Sequence, residues 1–360
     1  MPFSVSYLLT LGSFSCLGTL VLLVLLARLA PAIKLLDMPG GRKQHAAPVP
    51  MVGGLAIYLT LMGVALLWWL NSAANNSQYT APALVFVVCC TFMVITGVLD
   101  DRYNLGVMPR IASELLVAAF GTTMLGLKLT NLGNLLGTGD IQLATALAYP
   151  FTIIAFFGVI NAFNMLDGLD GQVAALTLCS LVGLWLTTNA PPTLLTVVIF
   201  GATLAFLLSN LGVVQGLPKT FLGDAGSKLL GFLMAVSLVS VTTTRHTAQH
   251  LLPVSALFVI AIPLYDMVFV SLRRMAQGKT PLSADRGHLH HLLQGFGLSP
   301  RRALLAALTL HGFLNLLGYG LTQARVGEAA QFGVFLGGFA LYCVVCQRSW
   351  WHHLESQQNR

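Results

Sequence analysis

Long apolar runs recur along the chain, separated by short polar connections. Each run is close in length to the roughly 20 residues that an α-helix needs to cross a bilayer. The pattern predicts an all-α fold, a polytopic membrane bundle of about eleven transmembrane helices forming a single domain over residues 1–360. The runs cover residues 5–27, 51–70, 82–99, 108–127, 144–163, 172–188, 193–211, 226–244, 251–271, 302–321 and 329–347.

The composition excludes a soluble globular protein. Hydrophobic residues make up 56% of the chain and charged residues 9%, whereas soluble domains have about 25% charged residues. The first run is followed, not preceded, by the basic residues Arg28 and Lys34, which predicts a membrane anchor and not a cleaved signal. The net charge of +7 would suit nucleic acid, but so little soluble surface remains that we expect no nucleic-acid partner.

Basic residues fix the predicted topology. With the first loop in the cytoplasm, all but Lys128, Arg245 and Arg325 of the 19 Lys and Arg residues lie at or near that side. Eleven spans then place the N-terminus in the periplasm and the C-terminus in the cytoplasm. Aspartates gather on the same side, although acids contribute little to orientation. A mixed acidic and basic face there indicates a site for metal-chelated phosphates. These aspartates are Asp37, Asp100, Asp101, Asp167, Asp170, Asp224, Asp266 and Asp285.

One polar stretch, residues 161–171, interrupts the apolar pattern with short polar side chains at steps of three. A tightened or partly unwound helix end would align such side chains on one edge. Gly168 and Gly171 each follow an aspartate and would let a ligand approach the backbone. A simple polar loop between two helices is the alternative. The four side chains are Asn161, Asn164, Asp167 and Asp170.

Two further stretches carry carboxylates next to turns. Asp100 and Asp101 are adjacent, so they repel unless a cation lies between them. In residues 221–228, Ser227 could cap a helix whose free N–H groups attract anions, while Asp224 could hold a hard cation. The spacing of Arg110 and Glu114 predicts an ion pair within one helix. Asp266 has the position of a structural aspartate in a proline-kinked helix.

Two basic loops complete the candidate site. The first, rich in proline and glycine, is either a flexible topogenic loop or part of the site, and it holds Arg42, Lys43 and His45. In the longest loop, no further ligands complete a zinc site around the histidines, whereas Arg and His donors suit a pyrophosphate or a sugar. The residues of this loop are Arg273, Arg274, Lys279, Asp285, Arg286, His288, His290 and His291. His311, alone in an apolar run, is predicted to be a satisfied core residue.

Taken together, these segments resemble the polyprenyl-phosphate N-acetylhexosamine-1-phosphate transferases, glycosyltransferase family 4, and most closely the branch that uses UDP-N-acetylglucosamine and undecaprenyl phosphate. The resemblance covers nearly the whole chain and implies an active site built from loops near residues 31–50, 100–108, 161–171, 212–228 and 272–301. The matching segments are Asp37-x-Pro-x-x-Arg-Lys-x-His45, Gly97-Val-Leu-Asp-Asp-Arg102, Asn161-Ala-Phe-Asn-Met-Leu-Asp-Gly-Leu-Asp-Gly171, Phe221-Leu-Gly-Asp-Ala-Gly-Ser227 and Asp285-Arg-Gly-His-Leu-His-His291.

The resemblance also implies roles. Asp224 would bind Mg²⁺, with Mn²⁺ as the alternative ion, and Asp100 and Asp101 would be further candidate metal ligands near the lipid phosphate. The family often has a third aspartate where this chain has Asn104, so no catalytic charge is expected there. His288 is the remaining catalytic candidate. The residues expected to bind substrate are Asp37, Lys43, His45, Asn161, Asn164, Asp167, Asp170, Phe221 (stacked on uracil), Arg273, Arg274, Asp285, Arg286, His290 and His291.

The implied enzyme transfers N-acetylglucosamine 1-phosphate from UDP-N-acetylglucosamine to undecaprenyl phosphate in the bacterial inner membrane, with the site facing the cytoplasm. The family allows another UDP-N-acetylhexosamine, or UDP-N-acetylmuramoyl-pentapeptide, as donor, and it allows a homodimer. An intramembrane aspartyl protease fits poorly, because its aspartate motifs would stand in the wrong order. A cation-coupled transporter is the non-enzyme alternative, but its acids should lie near the midplane of the bilayer.

Overall fold

A computed structural model describes residues 4–39, 47–72, 80–188, 191–243, 251–281 and 287–358, and the side chains of all these residues except 71, 72, 80 and 349–358. Within these residues the chain forms thirteen helices and one two-stranded ladder. The elements are α1 (Val5–Ile33), β1 (Leu36–Asp37), β2 (Val49–Pro50), α2 (Gly53–Ser72), α3 (Thr80–Tyr103), α4 (Val107–Met124), α5 (Thr145–Met165), α6 (Gln172–Thr188), α7 (Leu194–Asn210), α8 (Gly223–Thr243), α9 (Pro253–Val259), α10 (Ala261–Ala276), α11 (Leu289–Gly295), α12 (Pro300–Gln323) and α13 (Glu328–Gln358).

Each apolar run predicted from the sequence is helical, which confirms a polytopic helical membrane protein. Among the described residues, seven helices are long and apolar enough to span a bilayer, or eight if α9 and α10 count as one broken span. Two more apolar helices, α6 and α7, are shorter. The number eleven and the orientation of the termini stay predictions.

The chain divides into two compact units. The first contains Met1–Lys128, Tyr149–Ile160 and Pro191–Ser237, and the second contains the remaining segments. In the first unit, α1 packs along α7 and α2, and α3 packs along α2 and α4. Most of α8 is buried. A Cβ atom at Gly54 of α2 or Gly97 of α3 would collide with the backbone of α8. Glycine at these two positions therefore permits the contact that brings the end of α3 to the start of α8.

A short ladder ties the first loop to the start of α8. Asp37 pairs with Val49 and Leu36 with Pro50 in antiparallel register. The Phe221 N–H then donates to the Pro50 carbonyl at 2.8 Å, and the Gly53 N–H donates to the Phe221 carbonyl at 2.9 Å. Both ends of the loop are thus held by backbone hydrogen bonds, although its middle, with Arg42, Lys43 and His45, lies outside the described residues.

In the second unit, α12 packs against α6, α9, α10 and α11, and α13 packs against α9, α10 and α11. The apolar run over α9 and α10 is broken at Ile260 by a bend of 83°. The Asn315 amide donates to the Val259 carbonyl at 3.5 Å beside this break. His311 is fully buried, and its Nε2 lies 2.9 Å from the Ser180 hydroxyl. The prediction of a core histidine is confirmed, and the hydrogen bond of Nε2 satisfies one of its two ring nitrogens.

Candidate active site

The first unit holds an acidic cluster where α3, α4 and α8 meet, formed by Asp100, Asp101, Glu114, Asp224 and Lys228. Lys228 lies one turn after Asp224 on α8 and its side chain is 2% exposed. Its Nζ lies 2.8 Å from Asp100 Oδ2, 3.7 Å from Glu114 Oε1 and 3.9 Å from Asp224 Oδ2. Two segments predicted to belong to one site, Gly97–Arg102 and Phe221–Ser227, thus meet at this ammonium.

Asp101 caps the first turn of α8 from a neighbouring helix. Its Oδ1 accepts the Asp224 N–H at 2.8 Å and its Oδ2 accepts the Ala225 N–H at 3.3 Å. A carboxylate is a strong helix cap because it satisfies unpaired N–H groups and opposes the helix dipole. The prediction that Ser227 caps this helix is wrong, since α8 begins at Gly223 and the Ser227 hydroxyl donates back to the Gly223 carbonyl at 3.2 Å. These N–H groups serve a carboxylate and not a substrate anion.

Asp100 is buried and held on several sides. Its Oδ1 accepts the Leu105 N–H at 3.0 Å, and Arg110 Nε lies 3.7 Å from its Oδ2. The spacing on α4 predicted a local Arg110–Glu114 pair, and the structure shows that each also has a partner on another helix, Asp100 for Arg110 and Lys228 for Glu114. Asn104 is exposed with a φ of 51°, and its N–H donates to the Asp100 carbonyl at 2.7 Å. Asn104 therefore ends α3 in a left-handed turn, a conformation that asparagine tolerates.

The acidic cluster can supply a divalent cation with only some of its ligands. Mg²⁺ commonly binds one or two carboxylates and completes its shell with water and substrate phosphates. Asp224 suits this role, since its side chain is 33% exposed, and Asp100 is the neighbouring carboxylate. The two oxygens of Asp101 are engaged in capping, which favours a positioning role. Among the described residues, no set of three or more His, Cys, Asp or Glu side chains is arranged to hold a metal by itself.

Two substrate-binding candidates lie near the same elements. Phe221 is half-buried just before α8, and Lys219 Nζ lies 5.6 Å from the centre of its ring. Asp37 is half-buried in β1. The first loop also supplied Lys43 and His45 as candidates, and both lie outside the described residues.

The polar stretch 161–171 belongs to the second unit, and its structure confirms the tightened helix end. The Asp167 N–H donates to the Asn164 carbonyl at 3.2 Å, a bond between residues three apart. Asn161 is buried in the last turns of α5, whereas Asp167 and Asp170 are exposed. A side chain at Gly168 would collide with the His290 ring. The absence of a Cβ there lets this stretch contact the segment 287–291.

Next to that contact lies a histidine cluster, formed by Asp266, Arg274, His288, His290 and Tyr342. Asp266 Oδ1 accepts the Leu289 N–H at 2.7 Å and the Tyr342 hydroxyl at 2.9 Å. Its Oδ2 lies 2.6 Å from His288 Nδ1. On the other side of the ring, an Arg274 NH2 group lies 3.2 Å from His288 Nε2. Because a guanidinium can only donate, Nε2 accepts, and the His288 proton lies on Nδ1, which donates to Asp266.

Asp266 is one residue of these clusters whose pairing the sequence analysis missed. It was interpreted as a structural aspartate, but it orients His288 and holds the backbone of α11. One signal in the sequence could have identified it, namely a carboxylate within an apolar run. Such a carboxylate is costly to bury and needs partners or a function, and the structure shows Asp266 fully buried. Its position 22 residues before His288 concealed the pairing.

The two arginines at the end of α10 are buried. An Arg273 NH1 group donates to the Gly287 carbonyl at 3.2 Å, and an Arg274 NH1 group donates to the Pro281 carbonyl at 2.6 Å. Both were predicted to bind substrate, and their contacts show that they also hold the two ends of segment 281–287. The predicted residues Asp285 and Arg286 lie outside the described residues.

His290 and His291 differ in environment. The rings of His288 and His290 are parallel, with centres 5.9 Å apart, and His290 is buried while His291 is half-buried. Burial, with a smaller contribution from the neighbouring histidines, lowers the pKa of His290 to about 3. His290 is therefore neutral at physiological pH and serves as a hydrogen-bonding group, not as a cation.

Comparisons with known proteins identify a family and relatives that this chain resembles in sequence. Residues 83–242 match glycosyl transferase family 4. The chain is 32% identical over 342 residues to an undecaprenyl-phosphate alpha-N-acetylglucosaminyl 1-phosphate transferase of Escherichia coli O157:H7, covering 93% of this chain and 89% of the relative. It is 33% identical, with the same coverage, to the protein of that name in Salmonella typhi. It is also 31% identical to a probable undecaprenyl-phosphate N-acetylglucosaminyl 1-phosphate transferase of Bacillus subtilis, over 83% of this chain and 80% of that protein.

Proposed function

Because the chain belongs to glycosyl transferase family 4 and is a multi-pass membrane phosphoglycosyl transferase, we propose that it transfers N-acetylglucosamine 1-phosphate from UDP-N-acetylglucosamine to undecaprenyl phosphate. The products are GlcNAc-pyrophosphoryl-undecaprenol and UMP. This is the first membrane step in making glycans of the O-antigen or enterobacterial common antigen type. Family membership also excludes the cation-coupled transporter considered from the sequence.

The observation that carries the proposal is the convergence of Asp100, Asp101 and Asp224 in the acidic cluster. Asp100 and Asp101 lie on α3 and Asp224 lies on α8, more than 120 positions later in the chain, and carboxylates grouped in this way repel one another unless a cation lies near them. Such a cluster suits a reaction in which a cation must bring phosphate groups together. The names of the relatives supply the lipid phosphate and the sugar phosphate.

In the proposed reaction, an oxygen of undecaprenyl phosphate attacks the β-phosphorus of UDP-N-acetylglucosamine. A new P–O bond forms, the bond from that phosphorus to the bridging oxygen breaks, and UMP leaves with the electron pair. A phosphomonoester has its second pKa near about 6, so the nucleophile is already largely a dianion at neutral pH. The residues of the site therefore need to align and neutralise phosphates more than to remove a proton.

The family generally uses a divalent metal, and the residues that would hold it are Asp224 and then Asp100. When bound, the ion would neutralise phosphate oxygens and orient them for displacement. Asp101 would keep Asp224 in place by fixing the first turn of α8. Mg²⁺ is the proposed ion, and Mn²⁺ the substitute.

The histidine cluster supplies hydrogen-bonding groups for the donor in this proposal. His288, His290, His291 and Arg286 would contact the pyrophosphate and the sugar, Asp167 and Asp170 the uridine, and Phe221 the uracil ring. The fixed tautomer of His288 makes Nε2 its available acceptor, so a small local shift of Arg274 would let it accept from a sugar hydroxyl or amide. The remaining candidates are Asp37, Lys43, His45, Asn161, Asn164, Asp285, Arg273 and Arg274.

The test is transfer by the purified protein in detergent, with undecaprenyl phosphate, Mg²⁺ and labelled UDP-N-acetylglucosamine. We expect UMP and labelled lipid pyrophosphate in equal amounts, and no product in EDTA. UDP-N-acetylgalactosamine and UDP-N-acetylmuramoyl-pentapeptide serve as alternative donors. A higher kcat/KM with the pentapeptide donor would move the protein to the other branch, and the absence of UMP release with every donor would refute the proposal.

The proposed location is the bacterial inner membrane with the site facing the cytoplasm, where UDP-sugars are made. Its support is the distribution of basic residues. Single cysteines at Ser77 and Gln277, in a background without the native cysteines, test the orientation. An impermeant thiol reagent added outside should label the first and spare the second, and the reverse pattern would overturn this topology.

A further inference from the structure

Lys228 is an unusual residue in the acidic cluster because it is a buried cation at the place where the proposed reaction needs a metal ion. Its side chain is 2% exposed, and among the described residues the carboxylates of Asp100, Glu114 and Asp224 lie within 4 Å of its Nζ. A buried ammonium loses its hydration and persists only with close anionic partners. The sequence analysis gave Lys228 and this grouping no role.

The position of the ammonium bears directly on the carboxylates assigned to the metal. Its shortest contact, 2.8 Å, is with Asp100 Oδ2, so it occupies an oxygen that Asp100 would otherwise offer to a cation. It also lies 3.9 Å from Asp224 Oδ2. A unit charge at this distance repels a bound divalent ion appreciably, because Coulomb energy decreases only with the inverse of distance.

Glu114 acts on the same ammonium from α4. Its Oε1 lies 3.7 Å from Lys228 Nζ, and both side chains are buried. Glu114 belongs to none of the segments that carry the family resemblance. Its negative charge opposes the charge of Lys228 inside the cluster, so the two residues act on the electrostatic potential at Asp224 with opposite signs.

We propose that Lys228 and Glu114 together set the affinity of the acidic cluster for its divalent cation. Lys228 positions Asp100 and weakens metal binding at Asp224, and Glu114 moderates that effect. Weak binding would suit an ion that enters and leaves with phosphate-bearing substrates. This inference rests on the proposed function, and both residues act as positioning residues, not catalytic ones.

The test measures Mn²⁺ binding to the substrate-free, detergent-purified protein by electron paramagnetic resonance, which needs no turnover. Lys228→Gln should bind Mn²⁺ about tenfold more tightly than wild type, because it removes a charge at close range. Glu114→Gln should bind more weakly by a similar factor. The double variant Glu114→Gln/Lys228→Gln should lie between them. Lys279→Gln, which removes an equal charge from an exposed position, should match wild type.

The two single variants are expected to change the Mn²⁺ affinity in opposite directions. Structural damage would instead weaken binding in both, so the two explanations can be distinguished. Either single variant removes one member of a buried ion pair and is expected to be less stable. The double variant removes both charges, so if Lys228→Gln does not fold, tighter binding by the double variant than by Glu114→Gln supports the inference, and if Glu114→Gln does not fold, weaker binding by the double variant than by Lys228→Gln supports it. Equal affinities in all variants, weaker binding in Lys228→Gln, or no Mn²⁺ site in the wild type would overturn it. Transfer by the wild type tests the proposed function separately.

Discussion

The acidic cluster and the histidine cluster are built with opposite charge patterns. In the acidic cluster an ammonium, that of Lys228, is enclosed by carboxylates. In the histidine cluster a carboxylate, that of Asp266, is enclosed by hydrogen-bond donors. Each unit of the chain therefore contains one of the two patterns.

The difference shows how one largely apolar chain can form one site that favours a cation and another that favours a hydrogen-bonding ligand. Enclosed carboxylates with one partly exposed member, Asp224, favour a cation. An enclosed carboxylate that orients a histidine favours a ligand that hydrogen-bonds, such as a sugar or a phosphate. In each cluster one buried ion, Lys228 in the first and Asp266 in the second, orients the oppositely charged or hydrogen-bonding side chains around it.

The largest effect is expected in the acidic cluster, where we predict that a cation binds. Asp224→Asn should reduce turnover by about 10³-fold or more while the protein stays folded, because an amide lacks the charge that a hard divalent ion needs. Transfer rates at ordinary Mg²⁺, with thermal unfolding in detergent, measure both. Asp140→Asn, which removes an exposed carboxylate outside the cluster, is the control. Near-normal turnover in Asp224→Asn would remove this residue from the site.

The second prediction tests the histidine side. In Asp266→Asn, the amide oxygen should pair with the Leu289 N–H and the Tyr342 hydroxyl, leaving the NH2 group to face His288 Nδ1. The histidine proton then moves to Nε2, opposite Arg274, and we expect a loss of about 10²-fold to 10³-fold in kcat. Nitrogen chemical shifts of His288 report the tautomer.

Two comparisons make this second prediction specific. Tyr342→Phe keeps the carboxylate and should cost less than about tenfold, the scale of one neutral hydrogen bond. Adding Asp266→Asn to His288→Gln should cost nothing more, because the aspartate acts through that ring. Additive losses would show that Asp266 acts by another route.

A smaller effect separates the neighbouring aspartates of α3 from the asparagine after them. Asp100→Asn and Asp101→Asn should each reduce turnover by about 10²-fold, and Asp101→Asn should also destabilise the protein by about 1 kcal/mol through the lost cap. Asn104→Ala should leave turnover nearly unchanged and lose only stability, since alanine fits its left-handed conformation poorly. Equal sensitivity at all three positions would give Asn104 a role in the reaction.

The smallest effect concerns pH and His290. Its pKa is about 3 in the folded protein and about 6.5 when unfolded, so the unfolded chain binds the extra proton between these values. Stability is thus complete above about pH 6.5 and decreases as the pH falls, by about 1.4 kcal/mol at pH 5.5. His290→Gln should flatten this part of the stability profile measured by thermal unfolding. An unchanged profile would indicate that the ring is already protonated in the fold.

The sequence alone predicted the helices and the segments of the site well, since both depend on local patterns. Apolar runs of spanning length became helices, and the polar stretch 161–171 ended a helix as its spacing indicated. Contacts between distant segments were not predictable. Glu114 and Lys228 are 114 positions apart, and no local signal in either helix marks the other.

The prediction of the residue that caps α8 was wrong for the same reason. A local pattern favoured Ser227 as the cap of α8, but the cap is Asp101, which reaches the helix only because Gly97 lets α3 approach it closely. Packing between helices thus overrode the local preference. The pairing of Asp266 with His288 was not predictable, because the two residues are far apart in the sequence and come together only when the chain is folded.

The burial of α8 has a consequence for how the chain is made. Asp224 and Lys228 lie in the first two turns of a helix that is apolar enough to span a bilayer, and inside the protein most of this helix is enclosed. The helices of the first unit that the structure describes, α1 to α5 and α7, all precede α8 in the chain. During synthesis they leave the ribosome before α8. When α8 is made, the helices that carry Asp100 and Glu114 have already been made, so the order of the segments supplies the carboxylate partners of Lys228 before Lys228 itself.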